Sequence, residues 1–293
     1  MPLLTIFTPA YNRAHTLPRT YESLLGQDWK DFKWLIIDDG STDGTEKLVQ
    51  QWQKRDNGFE ISYIYKDNGG MHTAHNIAYE NIDTELNMCI DSDDRVSASA
   101  IKKIICKWNE IRDCGYAGII GLDADMNTGE IIGKGFAPNL YETTLSQYYN
   151  QGGCGDKILV YRTDIIKKYP PYPVFCGEKY VALAYKYRLI DQDYKLSVLP
   201  EILCEVEYQE DGSSMNMLRQ YISNPKGFAF WRKICIKYPI SNKRKFIECI
   251  HYVSSSIFSK NKRFITESPA KLCTVLAIPF GIILTIYIKS KVR

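Results

Sequence analysis

The chain has 293 residues, 45% of them hydrophobic, and 37 basic side chains against 34 acidic ones leave a net charge of +3. That length and apolar content suffice for one full α/β core with an appendage, and they exclude a disordered or fibrous chain. A charge this close to balance, with no nucleic-acid-binding motif, also argues against a nucleic-acid partner.

Residues 3–7 (LLTIF) predict an apolar strand, which runs into the polar turn Thr8-Pro9-Ala10-Tyr11-Asn12-Arg13. A helix is expected near Thr16, with Leu17, Tyr21, Leu24 and Leu25 on one face. Residues 32–37 (FKWLII) predict a second strand, ending in Asp38-Asp39-Gly40-Ser41-Thr42-Asp43-Gly44-Thr45, and the helix after it carries Leu48, Val49 and Trp52. Residues 61–65 predict a third strand, ending in Lys66-Asp67-Asn68-Gly69-Gly70 and followed by a helix through His75, Asn76 and Ile77. Residues 85–90 (ELNMCI) predict a fourth, ending in Asp91-Ser92-Asp93-Asp94. A helix over 97–111 then sets Ile101, Ile104, Ile105, Trp108 and Ile111 in one stripe. Short strands alternating with amphipathic helices imply a parallel sheet with right-handed crossovers, so all four polar turns fall on one edge of it. That edge is where an open α/β sheet takes ligands. Three carboxylates there suit magnesium or manganese, which prefer oxygen ligands and substrate phosphates. Plain helix capping by Ser97 or Ser99 is the structural alternative.

TPAYNR, DDGSTDGT, DNGG with AHN, and DSDD, in this order and at these spacings, resemble family 2 glycosyltransferases of the GT-A fold. The likeness is close over the first third of the chain and looser over the next. It implies an α/β, mostly parallel sheet flanked by helices, with a nucleotide-sugar at the acidic edge. Carried over residue by residue, Thr8, Ala10, Tyr11, Arg13 and Asp39 surround the nucleoside, a uridine in most such donors. Asp91 and Asp93 hold Mn2+ or Mg2+, with Ser92 and Asp94 beside them. Asn68, Gly70 and Asn76 lie near the donor. The family commonly reads Ala-Arg-Asn where this chain has Ala74-His75-Asn76, so a permanent cation is replaced by a shorter, titratable ring. For Asp39 the structural alternative is an Asx-type turn with Gly40.

In the middle third, Gly152-Gly153-Cys154-Gly155-Asp156-Lys157 leads into a strand over 158–161, and Asp156 is a further donor or acceptor contact. A short helix is expected from Thr163. The run Phe175-Cys176-Gly177-Glu178-Lys179 precedes a helix carrying Ala182, Leu183, Tyr185 and Leu189. An inverting transferase needs a carboxylate to take the acceptor's proton. The resemblance places that base in a Glu-Asp pair here; this chain has Glu178 followed by Lys179, so Glu178 is the candidate. A Glu favoured by a helix dipole is the alternative. Residues 202–208 alternate like an edge strand, and the loop 209–214 is either a lid over the diphosphate or a surface turn. No QxxRW pattern follows, which favours one sugar per encounter.

The tail is basic (Arg232, Lys233, Lys237, Lys243, Arg244, Lys245, Lys260, Lys262, Arg263) and ends in the apolar stretch 272–288 between Lys271 and Lys289. At 17 residues that stretch is short of the ~20 needed to span a bilayer. A membrane-associated or re-entrant helix on an anionic cytoplasmic surface is expected, a buried core helix being the alternative. Nine scattered cysteines without CxxC pairs argue against structural zinc and for reduced thiols in a cytosol. No basic-then-apolar leader precedes the first strand. The expected organisation is a nucleotide-sugar-binding catalytic domain over 1–214 and a helical, membrane-associating extension over 215–293. The expected activity is inverting transfer of one sugar from a UDP-sugar to a lipid-linked saccharide, in bacterial capsule or O-antigen assembly at the inner membrane face. The alternative is a non-catalytic, membrane-tethered nucleotide-sugar-binding partner of another transferase.

Overall fold

Strands buried on both faces are continuous apolar runs, and the computed structural model, which describes residues 2–207 and 217–292, begins with such strands. In chain order come β1 (Leu4–Ala10), α1 (Leu17–Leu25), β2 (Phe32–Asp38), α2 (Thr45–Gln53), β3 (Glu60–Tyr65), α3 (Met71–Asn81), β4 (Leu86–Cys89), β5 (Arg95–Val96) and α4 (Ala100–Ile111). They are followed by β6 (Gly118–Asp125), β7 (Glu142–Thr143), α5 (Leu145–Asn150), β8 (Leu159–Arg162), α6 (Thr163–Lys168), α7 (Ala184–Ile190) and β9 (Leu196–Val206). The remaining helices are α8 (Met217–Ser223), α9 (Pro225–Lys237), α10 (Asn242–Phe258), α11 (Phe264–Glu267) and α12 (Lys271–Lys291).

The sheet order is β3-β2-β1-β4-β8-β6-β9-β5, with β7 also on β9. β3, β2, β1 and β4 are mutually parallel, as expected, so their carboxyl ends and the turns after them share one edge. The other half is mixed: β8 runs antiparallel to both β4 and β6, while β6 and β9 are parallel. The strand expected at 202–208 as an edge is instead the end of β9, an interior strand bonded to β6 on one side and to β5 and β7 on the other. β6 itself has no counterpart in the sequence reading. Beneath the parallel half, the rings of Tyr21 and Trp52 stack at 4.3 Å and Trp34 lies 5.7 Å from Trp52. All three are buried, so the strands that carry the turns rest on a rigid aromatic layer.

Two compact units emerge: Met1–Pro171 with Lys186–Glu207, and Tyr172–Tyr185 with Tyr208–Arg293. The expected loop 209–214 and the expected boundary after residue 214 lie outside the described residues. In the second unit, α9, α10 and α12 pack around Ala229, Ile236, Cys249, Tyr252, Val253 and Ala277. Arg232 of α9 donates to Glu248 of α10 at 2.7 Å, both side chains largely buried. The stretch expected over 272–288 is one continuous helix through Pro279. Gly281 sits at its closest approach to α10, where a Cβ would come within 2.6 Å of the Val253 Cβ.

Candidate active site

The acidic turn is built by α1 as much as by its own strand. The Thr20 hydroxyl donates to the Asp94 carbonyl at 2.8 Å, the Val96 amide donates to Ser23 Oγ at 3.0 Å, and Gln27 Nε2 donates to the Ser97 carbonyl at 2.9 Å. The Asp94 amide closes the turn on the Asp91 carbonyl at 3.1 Å. Held this way, Asp91, Asp93 and Asp94 each present a carboxylate oxygen within 4.8 Å of the others. Burial, then Asp93 and Asp156, pushes Asp91 up to about 6, with Arg13 opposing. Burial and the neighbouring Asp91, Asp93 and Asp123 push Asp94 up to about 9. Carboxylates crowded and dehydrated to this degree hold protons unless a cation replaces them. An all-oxygen donor set on a short turn therefore fits a hard dication such as Mn2+ or Mg2+.

A fourth acid, Asp123 near the end of β6, belongs to the same cluster. It is 5% exposed, and its Oδ1 has no hydrogen-bond partner among the described residues. Burial and Asp156 raise it to about 7, against Lys157. Lys157 is anchored beside it by the carbonyls of Asp156 at 2.9 Å and of Ile132 and Cys154 at 3.2 Å. The signal in the sequence is the run 117–122 ending in an acid, which resembles 32–38 and 86–91 but is interrupted by Gly118 and Gly121.

The turns after β1, β2 and β3 are sewn to one another. The Asn12 amide donates to Ser41 Oγ, the Thr42 amide to Asn12 Oδ1 (both 2.8 Å), and the Asp39 amide to the Ala10 carbonyl at 2.8 Å. Asp39 is 5% exposed, and its carboxylate accepts from the amides of Gly69 at 2.9 Å and Gly70 at 2.8 Å and from Lys66. Gly70 has a φ of 92° and opens α3, a conformation that favours glycine. Asn68 packs on Gly40, whose φ is 85°, and Asn76 is half-buried on α3. Tyr11 is 49% exposed, and Arg13 acts electrostatically on Asp91. Thr8 points elsewhere: its fully buried hydroxyl accepts from the Trp34 indole at 3.0 Å. Ala10 is buried at the strand end.

His75 is fully buried, edge-on to Phe7 at 4.9 Å, with Nδ1 3.2 Å from the Tyr79 hydroxyl. Burial, with Lys186 and His72 adding to it, pushes it down to about 3, so it is a neutral core ring. Glu178 lies in the second unit, before α7 and not on it. Both of its oxygens accept backbone amides at the start of α9, Lys226 at 3.0 Å and Gly227 at 2.8 Å. The Lys179 amide donates to Asn224 Oδ1 at 2.7 Å beside them. Glu178 thus caps a helix 48 residues away, where the sequence offered a helix of its own.

Glycosyl transferase family 2 matches over residues 5–170, more than half of the chain. The chain belongs to this family. A GalNAc(5)-diNAcBac-PP-undecaprenol beta-1,3-glucosyltransferase of Campylobacter jejuni subsp. jejuni serotype O:2 is 31% identical over 141 residues, 46% of this chain and 44% of that protein. The chain spans under half the length of the first curated relatives it matches. S. aureus TarS 1-349 in complex with UDP-GlcNAc superposes with a TM-score of 0.60 at 16% identity, over 100% of this chain and 92% of that one. The mannosyltransferase PcManGT from Pyrobaculum calidifontis, in complex with GDP-Man and Mn2+, gives 0.58 at 13% identity, over 96% and 87%. Both share the GT-A-like fold of this family 2 chain.

Proposed function

We propose that this family 2 protein transfers one sugar, with inversion, from a UDP-sugar to a lipid-linked saccharide during assembly of a bacterial surface polysaccharide of capsule or O-antigen type. The observation that carries the reading is the convergence of Asp91, Asp93 and Asp94 on the sheet edge where three further polar turns are sewn together. In this reading Asp91 and Asp93 hold Mn2+ or Mg2+, which neutralises the diphosphate and makes it a better leaving group. In the same reading Tyr11, Arg13 and Asp39 surround the nucleoside, and Asn68, Gly70 and Asn76 lie near the donor. The acceptor oxygen attacks the anomeric carbon, the bond to the diphosphate breaks, and Glu178 takes the acceptor proton. Two lone pairs of its carboxylate remain after the α9 amides are served. Work at the inner membrane face, on a surface met by α12, completes the picture. The test is UDP release from a panel of UDP-sugars with and without undecaprenyl-diphosphate-linked saccharides. Acceptor-independent binding without release supports instead the non-catalytic partner, a reading that the capping role of Glu178 and the basic Lys179 favour.

Two expectations follow for single residues. Asp39→Ala is expected to weaken UDP binding by ~1–3 kcal/mol, the cost of a lost charge-assisted hydrogen bond and a loosened Gly69–Gly70 turn. Calorimetry giving wild-type affinity would return Asp39 to turn formation alone. Asp123 couples electrostatically to Asp91 and Asp94, so in this reading Asp123→Asn is expected to cost ~1.5–3 kcal/mol in kcat/KM, about 10- to 150-fold. Stability should move the other way. A carboxylate raised from 3.8 to about 7 binds more protons folded than unfolded, so its contribution falls as pH rises through that window. The Asn variant should therefore melt higher than the wild type at pH 8 and show little gain at pH 4. Equal melting curves at both pH values would show that Asp123 is not under strain.

A further inference from the structure

α12 is apolar over most of its surface, yet it is neither a core helix nor free of the protein. Its small and polar positions Thr274, Ala277, Gly281 and Thr285 are buried. They meet α10 along its length: Thr274 Oγ1 lies 3.7 Å from Cys249 Sγ, Gly281 lies against Val253, and Thr285 Oγ1 donates to Ser254 Oγ at 2.9 Å. At the far end the Lys289 ammonium sits 5.8 Å from the Phe258 ring. The opposite face is bare: Leu272, Leu276, Ile283 and Ile286 are each 60% exposed or more, and Val275, Phe280, Ile282 and Tyr287 between 43% and 51%. This exposed apolar strip runs the length of a 21-residue helix, ~31 Å at 1.5 Å per residue, and contiguous patches of that kind mark interaction or membrane surfaces.

We propose that α12 is a monotopic anchor, lying in the plane of an anionic membrane surface with its bare face in the acyl boundary and α10 above it. This rests on the membrane reading given above and decides its geometry. A helix that crossed the bilayer would carry α10 into hydrocarbon from Cys249 to Phe258 with His251, and would require the α10–α12 connection, with Lys260, Lys262, Arg263 and Glu267, to return across the same depth, where ionisable groups are costly. Among the described residues α12 alone has the length and hydropathy to cross. Charge placement gives the same answer. Lys271 and Lys289 are 18 residues apart, five full turns, so they leave the helix on the same side. Both reach one plane of lipid phosphates from a helix lying flat, flanking the apolar face. A crossing helix would place them in opposite leaflets.

The experiment is flotation of the full-length chain with sealed vesicles, phosphatidylglycerol with phosphatidylethanolamine against phosphatidylcholine alone, followed by external protease on terminal epitope tags. The expected result is co-flotation with the anionic vesicles, at least tenfold above the neutral ones at low salt. Both the N-terminal and the C-terminal tag should be lost to protease, as a flat helix leaves both outside. Leu276→Glu with Ile283→Glu, at exposed positions that leave the packing intact, should abolish flotation without lowering the melting temperature. A floated chain whose C-terminal tag is protected would overturn the flat geometry while leaving membrane attachment in place. Absence of flotation, including a chain that self-associates through this face in sedimentation, would overturn both. UDP release by the same preparations tests the transferase reading separately.

Discussion

An Asp93→Asn enzyme is expected to lose nearly all turnover while melting within a few degrees of the wild type. The backbone of the turn that carries Asp93 is held by the Thr20 and Ser23 hydroxyls of α1 and the Gln27 side-chain amide just after it, and the Asp93 side chain takes no part in those bonds. What the substitution removes is the charge of one of three carboxylates whose oxygens meet within 4.8 Å, and under the proposed reading that weakens the hold on the cation. Chelation by EDTA should produce the same silence in the wild type, and added Mn2+ or Mg2+ should restore it. A pH signature separates this from a general loss of fit. Because Asp91 and Asp94 are held up at about 6 and about 9, metal binding must displace protons, and affinity for Mn2+ should strengthen from pH 5.5 to pH 8. Isothermal titration at the two pH values, in buffers of different ionisation enthalpy, reads both the affinity and the protons released. Full turnover in chelator, or a Mn2+ affinity independent of pH, would remove the acidic turn from the chemistry.

Glu178→Gln should lower kcat by ~100- to 10,000-fold, the usual contribution of a general base, with the affinity for the UDP-sugar within about twofold. The structure adds a second expected effect. Glu178 accepts from two amides at the start of α9, and a glutamine turns one acceptor into an NH2 facing an N–H. A drop in melting temperature is therefore expected whichever role is correct, and melting alone decides nothing. The decision comes from kcat measured well below the melting transition, where the folded fraction is unchanged. Normal kcat there would leave Glu178 as a cap, and the search for a base would move to Asp94, Asp123 and Asp156.

The parallel half of the sheet was legible because its strands are buried on both faces and read as unbroken apolar runs closed by polar turns. The turns that hold Asp39, Asn68–Gly70 and Asp91–Asp94 are located by the same pattern, while the roles expected of those residues rest on the family resemblance alone. The mixed half was not: β8 reverses direction, and a four-residue run of LVYR has no local feature that encodes antiparallel pairing to both neighbours. β6 was overlooked because Gly118 and Gly121 break its apolar pattern, and with it went Asp123. Thr8 sat inside a matching motif, yet its hydroxyl is committed to Trp34, a contact between neighbouring strands that no motif records. His75 shows the opposite case. The departure from the family pattern was visible, and its reason, a neutral ring packed on Phe7 and Tyr79, needed the fold. The partner of Glu178 is 48 residues downstream, beyond any local reading.

The suspension of the acidic turn from α1 also has a kinetic meaning. Thr20, Ser23 and Gln27 hold its backbone before any ligand arrives, so little ordering entropy is left to be lost when the donor docks. Under the proposed reading, ordering of this turn then adds little to the time of nucleotide capture, which is expected to follow diffusion and the local electrostatic potential. Amide exchange at Val96 and Ser97 should already be slow in the free protein and change little on addition of nucleotide, whereas Thr20→Val would speed it and slow nucleotide association together.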